Sequence, residues 1–395
     1  MLRRHEIQFF KENIAPRTAP VLSLYLNVNP AEPTNANRAW LTRLKDSLKG
    51  LDVPRKVTEN AIRELEGIRP TARTFVVFAA DDLIQLYALQ VDLPVVDLAH
   101  GRIEARWGEP YVFPLVYAID EYARHGVVLL DRAKWRFFEV YLGEISELAD
   151  AFLDLPLDHD HTRKLEKRPA ERWVQASVPS ERSVQGSVVL RGGGERDHYE
   201  RHVEAWVQRF YKRAAHILEK LVTVWNIDEL IFMGPHIDTH FFEQYLPKAI
   251  RQRVAGHAPA LPEPSPSASE VLQKAAPIIA DRQQAAEMAL LDEIRDVGRW
   301  TIPTVLKELQ MGRFHLLVAP WNPNGNVLQC AKGLVVTDQR EAEAYCPGQS
   351  IRPVALRDVL VDLATAHGAR LEFVHGEAES RLLREFGGLA ALSRW

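Results

Sequence analysis

The chain has 395 residues, 46% of them hydrophobic and 26% charged, with a formal net charge of −4. This is an ordinary globular composition, too long for one hydrophobic core and expected to divide into two to four domains of ~100 to 200 residues. The slight negative charge excludes a globally basic nucleic-acid binder, so any basic face has to be local. The opening, MLRRHEIQFFKENIAPRTAP, lacks a signal-peptide apolar run, and no uncharged apolar stretch reaches the ~18 residues of a membrane span. A cytoplasmic chain with no membrane partner is expected. Its two cysteines, Cys330 and Cys346, fit a reducing compartment.

In residues 21–28, VLSLYLNV, β-branched and aromatic side chains predict a strand that ends before Pro30 and Pro33. Residues 36–51 predict a helix with Trp40, Leu41, Leu44 and Leu48 on one face, and residues 57–67 a second. Strands are expected at 74–80 and 84–89, completing an N-terminal α/β domain over residues 1–120.

A middle α/β domain is expected over residues 121–255. Residues 126–143 read as two strands around an Asp-Arg-Ala-Lys turn. A polar stretch, 161–187, then leads to Arg191-Gly192-Gly193-Gly194-Glu195-Arg196. Three successive glycines permit positive φ and close backbone approach, which suits a loop tip entering a tight place. From Tyr199 onward Val203, Trp206, Val207, Phe210, Ala214, Ile217, Leu218 and Leu221 recur at three/four spacing, predicting a long amphipathic helix as the loop's rigid base. A strand at 229–233, a Gly234-Pro235 turn and a helix at 241–250 follow.

Residues 255–269, AGHAPALPEPSPSAS, break the composition; Pro, Ala and Ser predict a linker, placed at 256–269. The last region, 270–395, opens with a helix to residue 297. A strand at 314–319, a turn at Asn322-Pro323-Asn324-Gly325, a helix at 354–367 and a strand at 371–374 complete it.

Three segments, VLSLYLNVNP, GVVLLDRAKWRFFEVYLGEI and VHGEAESRLLREFGGLAALSRW, occur in an order that resembles the archaeal and eukaryotic class-1 peptide chain release factor and Pelota superfamily. The likeness is stronger to the bacterial relatives of that superfamily. It implies three mixed α/β domains of release-factor/Pelota type, a ribosomal partner contacted through rRNA or tRNA, an elongation-factor-like GTPase as second partner, and no cofactor. Release factors of this superfamily carry Gly-Gly-Gln, then Ser, then Arg-Phe on the following helix. With Gly192 and Gly193 as the glycine pair, Gly194 replaces the glutamine, His198 the arginine and Tyr199 the phenylalanine. With Gly193 and Gly194 as the pair, Glu195 replaces the glutamine and the aromatic match is lost, so the first register is preferred.

In either register the side chain that would place water at an ester carbonyl is missing. A glutamate there would add negative charge beside RNA phosphates. Gly192, Gly193, Gly194 and Glu195 are thus expected to form a loop that reaches the peptidyl-transferase centre without hydrolysing, with no catalytic residue assigned. The Asn-Ile-Lys-Ser segment of stop-codon readers is replaced by KGLDVPRKV, which does not support codon reading. Cys330-Ala331-Lys332-Gly333 and Cys346-Pro347-Gly348-Gln349 look like two zinc knuckles that have each lost a cysteine, implying a degenerate ribbon without metal.

Charge is concentrated locally. Residues 161–213 hold twelve Lys and Arg against seven Asp and Glu, a surplus of five. Lys164, Lys167, Arg168, Arg191, Arg196, His198 and Arg201 are the expected rRNA or tRNA contacts. The glycine run lacks the Gly-Lys-Ser/Thr ending of a P-loop, and His198 with His202 lacks the adjacent Glu of a zincin. Asp158-His159-Asp160-His161 and His236-Ile237-Asp238-Thr239-His240 have metal-capable composition but read as polar loops, with Asp238 as a helix N-cap before Phe241. The expected function is a ribosome-binding factor that occupies the A site of idle or stalled ribosomes, in hibernation or rescue. Peptidyl-tRNA ester hydrolysis, and an RNA-binding module or nuclease acting off the ribosome, are the alternatives.

Overall fold

A computed structural model describes residues 4–131, 134–148, 153–154, 193–263 and 265–394, with the backbone alone for 100, 153–154 and 193–204. Lys164, Lys167, Arg168, Arg191, Gly192 and the Asp158–His161 run lie outside the described residues. The fold is mixed α/β, and its contacts form two compact units: residues 1–122, 141–144 and 279–395 in one, 123–140 and 145–278 in the other.

In the first unit, β1 (Val21–Asn27), β2 (Thr74–Ala79), β3 (Ile84–Leu89) and β4 (Ile103–Gly108) form an antiparallel sheet in the order β3-β2-β1-β4. The central strands β1 and β2 read as almost continuous apolar runs because both faces of the sheet are covered. Alternate residues Leu22, Leu24, Leu26, Phe75 and Val77 meet Trp40, Leu44, Val57, Ala61 and Leu65 from the helices Ala39–Leu48 and Arg55–Glu66. The opposite set, Val21, Tyr25, Val76 and Phe78, meets Phe10, Ile14, Leu115 and Ala118. The first of these helices starts three residues later than its apolar pattern suggests. Asn37 and Arg38 take positive φ (51° and 59°), so the preceding Pro33–Arg38 turn stays 3-10.

The second unit is built on β5 (His125–Leu130), β6 (Lys134–Tyr141), β7 (Glu144–Glu147), β8 (Leu153–Asp154), β9 (Glu229–Met233) and β10 (Val254–Ala258). Their order is β10-β9-β5-β6-β7, with β8 on β6; β10, β9 and β5 are mutually parallel and β6 is antiparallel to β5. Residues 254–258 thus form a strand where composition predicts the start of a linker. Pairing with β9 overrides the weak local preference, and Gly256 admits Ile278, whose Cγ2 would stand 2.9 Å from a Cβ at that position. The helix expected at 241–250 is instead two, His236–Glu243 and Lys248–Arg251, separated at Pro247, which has no N–H to continue the ladder.

The remainder of the first unit holds β11 (Arg299–Trp300), β12 (Phe314–Pro320), β13 (Asn326–Cys330), β14 (Val335–Val336), β15 (Ile351–Ala355), β16 (Arg370–Val374) and β17 (Ala390–Ser393). One sheet runs β11-β17-β12-β16 and a small one β14-β13-β15. Because 351–355 pairs with β13, the following helix is Leu356–Ala366, shorter than its apolar pattern. Val95 and Tyr117 from the N-terminal region enter the core around Leu317, Leu360 and Phe373, and the Tyr117 hydroxyl accepts the Phe373 N–H at 3.1 Å.

Cys330 and Cys346, read from sequence as remnants of separate zinc knuckles, are joined to each other in a disulfide, with Cα atoms 6.3 Å apart. Two thiols at that separation suit a covalent bridge and fall short of the four ligands of a structural zinc site. No group of His, Cys, Asp or Glu among the described residues suits a metal, and no described helix is long and apolar enough to cross a membrane.

The small β13–β15 sheet has few buried side chains of its own, so the bridge is expected to matter to it. For its 16-residue separation, opening it should cost roughly 3 kcal/mol. Amide hydrogen exchange in β13 and β15 should accelerate on adding a thiol reductant, while exchange in β1 and β2 stays unchanged.

Candidate functional site

The parallel strands of the second unit decide where a site can form. β8 and β5 both run antiparallel to β6, so β8 points the same way as β9. The helix Gly193–Val224 therefore belongs to the crossover between two parallel strands and runs back along the sheet; Tyr211 reaches the carboxyl edge of β5, β9 and β10, and the helix continues past it toward Gly193. Crevices at that edge are where open α/β sheets bind ligands.

Burial fixes this helix on the sheet. Phe210, Tyr211, Ala214, Ala215, Leu218 and Val222 pack on Val128, Leu130, Trp135, Phe137, Leu230 and Phe232. Tyr211 is fully buried against Phe242 (ring centroids 5.5 Å) and Phe241 (6.0 Å), so it is shut off from stacking on a base. Trp206, one turn before Phe210, is 37% exposed. From Gly193 to Phe210 the helix runs 17 residues, about 25 Å at 1.5 Å per residue.

The helix begins at Gly193, six residues before Tyr199, so Gly193, Gly194 and Glu195 form its first turn and Arg196, His198 and Arg201 follow on it. The apolar pattern could not show this start, because GGERDH contains no apolar side chain to set a phase. In the first unit, Lys49, Arg55 and Lys56 lie at the exposed connection between two helices; Lys49 pairs with Asp46 at 2.8 Å and Arg55 with Glu59 at 2.7 Å.

A second feature at the same edge involves residues far apart in the chain. Gly234 carries the chain from β9 into the helix His236–Glu243, and a Cβ there would lie 2.0 Å from the Leu130 carbonyl oxygen. Pro235 takes the N-cap position, and Asp238, expected to cap, is buried within the first turn. His236 and His240 stack at 3.9 Å between ring centroids, and His240 stacks on His257 of β10 at 4.1 Å, with interplanar angles of 26° and 22°. His257 is held by the Thr239 hydroxyl (Nδ1 to Oγ1, 3.3 Å), by Glu243 (Nε2 to Oε2, 3.3 Å) and against Phe232.

The order Thr239, His257, Glu243 has the appearance of a nucleophile relay, but Thr239 is 1% exposed and its hydroxyl donates to the His236 carbonyl at 3.1 Å. It has no path to a substrate. Burial, then the neighbouring His240, holds the His257 imidazole below its ordinary value of 6.5 against the pull of Glu243.

Residues 110–280 match the model of bacterial archaeo-eukaryotic release factor family 10, a stretch that contains the whole second unit. Among solved structures, the chain is similar to an archaeal translation termination factor, aRF1 (16% identity, 99% of this chain and 96% of that one, TM-score 0.27). It is similar also to Pelota of Archaeoglobus fulgidus (10% identity, 80% and 86%, TM-score 0.35). A third is Dom34 of S. cerevisiae, described as a translation termination-like factor interacting with Hbs1 (10% identity, 82% and 86%, TM-score 0.38). No curated protein matches.

Gly234→Ala should destabilise the second unit by roughly 3 kcal/mol, because the added carbon meets backbone rather than a movable side chain; urea unfolding followed by tryptophan fluorescence checks this. With its folded value depressed, His257 binds fewer protons in the folded state than in the unfolded chain. Stability of this unit is therefore expected to fall as pH drops through 6.5. The variant His257→Gln should flatten that part of the slope when unfolding is compared at about pH 7.5 and about pH 5.5.

Proposed function

Because residues 110–280 make this chain a relative of the bacterial archaeo-eukaryotic release factors, we propose that it is a ribosome-binding translation factor that occupies the A site of idle or stalled ribosomes, without reading a codon and without hydrolysing peptidyl-tRNA. The observation that carries the reading is the first turn of the long helix. It is built from Gly193, Gly194 and Glu195, with no glutamine following the glycines.

Hydrolysis of the ester would need a water held at the carbonyl and donors aimed at the oxyanion. Glycine offers a backbone N–H alone. A carboxylate repels both the developing charge and the surrounding phosphates. The glycine end of the helix is thus suited to entering the peptidyl-transferase centre and poorly suited to chemistry there. The basic surplus of residues 161–213, with Lys164, Lys167, Arg168, Arg191, Arg196, His198 and Arg201, supports phosphate contact along the approach. A translational GTPase of the elongation-factor class is the proposed delivery partner, and residues 1–120, 121–255 and 270–395 are proposed as the three functional domains.

Sedimentation with bacterial ribosomes and release of peptide from a loaded P-site tRNA, measured in the same tubes, test this. The protein should pellet with ribosomes at about 50 mM salt and progressively less toward about 200 mM, as counterion release requires. Peptide release should stay at background for the unaltered chain and for Glu195→Ala. Release that Glu195→Ala abolishes would make the chain a hydrolase. Failure to pellet at any salt would move its work off the ribosome.

A further inference from the structure

We propose that the imidazole stack His236, His240 and His257 is a docking platform for one unpaired base of RNA, with His236 as the ring the base covers. This deepens the ribosome-binding reading and rests on it for the source of the RNA. The three rings are close to parallel and in contact, at 3.9 and 4.1 Å. The inner end of the stack is fixed in the fold: His257 lies on β10 against Phe232, with Thr239 and Glu243 at its two nitrogens. The middle ring is fixed as well, since His240 Nδ1 lies 2.9 Å from the His236 carbonyl oxygen.

The stack grows outward from this base and ends in His236, which is exposed. A pre-positioned π-face at a surface costs little to cover with another planar ring, and histidine is among the side chains on which unpaired bases stack. The immediate surroundings fit a base with its backbone. Ile237 is 73% exposed and Phe241 38% exposed on the same short helix, giving apolar contact beside the stack. Phe241 touches Tyr211 of the long helix, and the exposed Lys212 follows Tyr211 about 100° around that helix, a cation for the sugar-phosphate chain.

A metal ion is the poorer occupant. Stacked rings direct their nitrogens sideways rather than to a common point, and both nitrogens of His257 and Nδ1 of His240 already face protein oxygens. No metal-holding group occurs among the described residues.

The test uses the full-length chain and a short single-stranded RNA carrying one 2-aminopurine, whose fluorescence is quenched on stacking. The unaltered protein should quench it. His236→Ala should weaken binding about tenfold and abolish the quench, whereas His236→Phe, which keeps an aromatic face, should retain both. His236 is exposed, and an unchanged melting temperature for both variants confirms that the fold persists. Equal affinity and equal quench for His236→Ala and the unaltered chain would overturn the proposal. So would loss of binding in Lys212→Ala with no quench in any variant, which would leave charge contact alone. Ribosome sedimentation separates the two readings: pelleting of the unaltered chain without any quench by it sinks the platform only. Quench without pelleting sinks the ribosomal reading only.

Discussion

One burial event organises the second unit: the stripe Phe210, Tyr211, Ala214, Leu218 and Val222 closing over the sheet at Val128, Trp135, Leu230 and Phe232. Each large side chain taken fully out of water contributes on the order of 1.5 to 3 kcal/mol, so this interface fixes the axis of the crossover helix firmly. The helix direction then follows from strand polarity, and with it the edge of the sheet toward which the glycines run. Phe242, Leu246 and Ile250 join the same core. That seats the histidine-bearing helix beside the long one and brings His236 and His240 to the same edge.

Two chemically different features thereby lie on one side of the sheet, the imidazole stack at its edge and the glycine end about 25 Å of helix farther out. The glycine end of the long helix has small residues and a carboxylate where a hydrolytic factor needs an amide side chain. The imidazole stack has aromatic faces and no accessible nucleophile, because Thr239 is shut inside. The imidazole faces offer stacking to a planar ring, and the glycines offer close backbone approach. The proposed role as an occupant of the ribosome accords with both.

Much of the fold was legible because the patterns were strong. The apolar runs of β1, β2, β5, β6 and β9 mark central strands, and the helix 268–297 shows three/four spacing near both ends. What escaped was determined by distant partners. β10, with sequence VAGHA, has little intrinsic strand preference and exists because β9 pairs with it. The helix start at Gly193 lay in a stretch with no apolar phase. The disulfide depended on the end of β13 meeting the residue that caps the helix Gln339–Tyr345. Of the candidate site, the glycine run and its basic surroundings were visible in sequence, and so were His236 and His240 one helical turn apart. The third ring, His257, stands 17 residues beyond His240, and only the pairing of β10 with β9 brings it under the stack.

The central claim is that the glycine end of the crossover helix is a reaching element of a ribosomal factor. A cryo-electron microscopy reconstruction of the full-length chain bound to idle ribosomes tests it most directly. The account predicts the second unit in the A site, with Gly193 and Gly194 beside the peptidyl-transferase centre and no codon contact from residues 49–57. Density for the second unit away from the A site, or the first turn of the helix turned away from the catalytic centre, would contradict it.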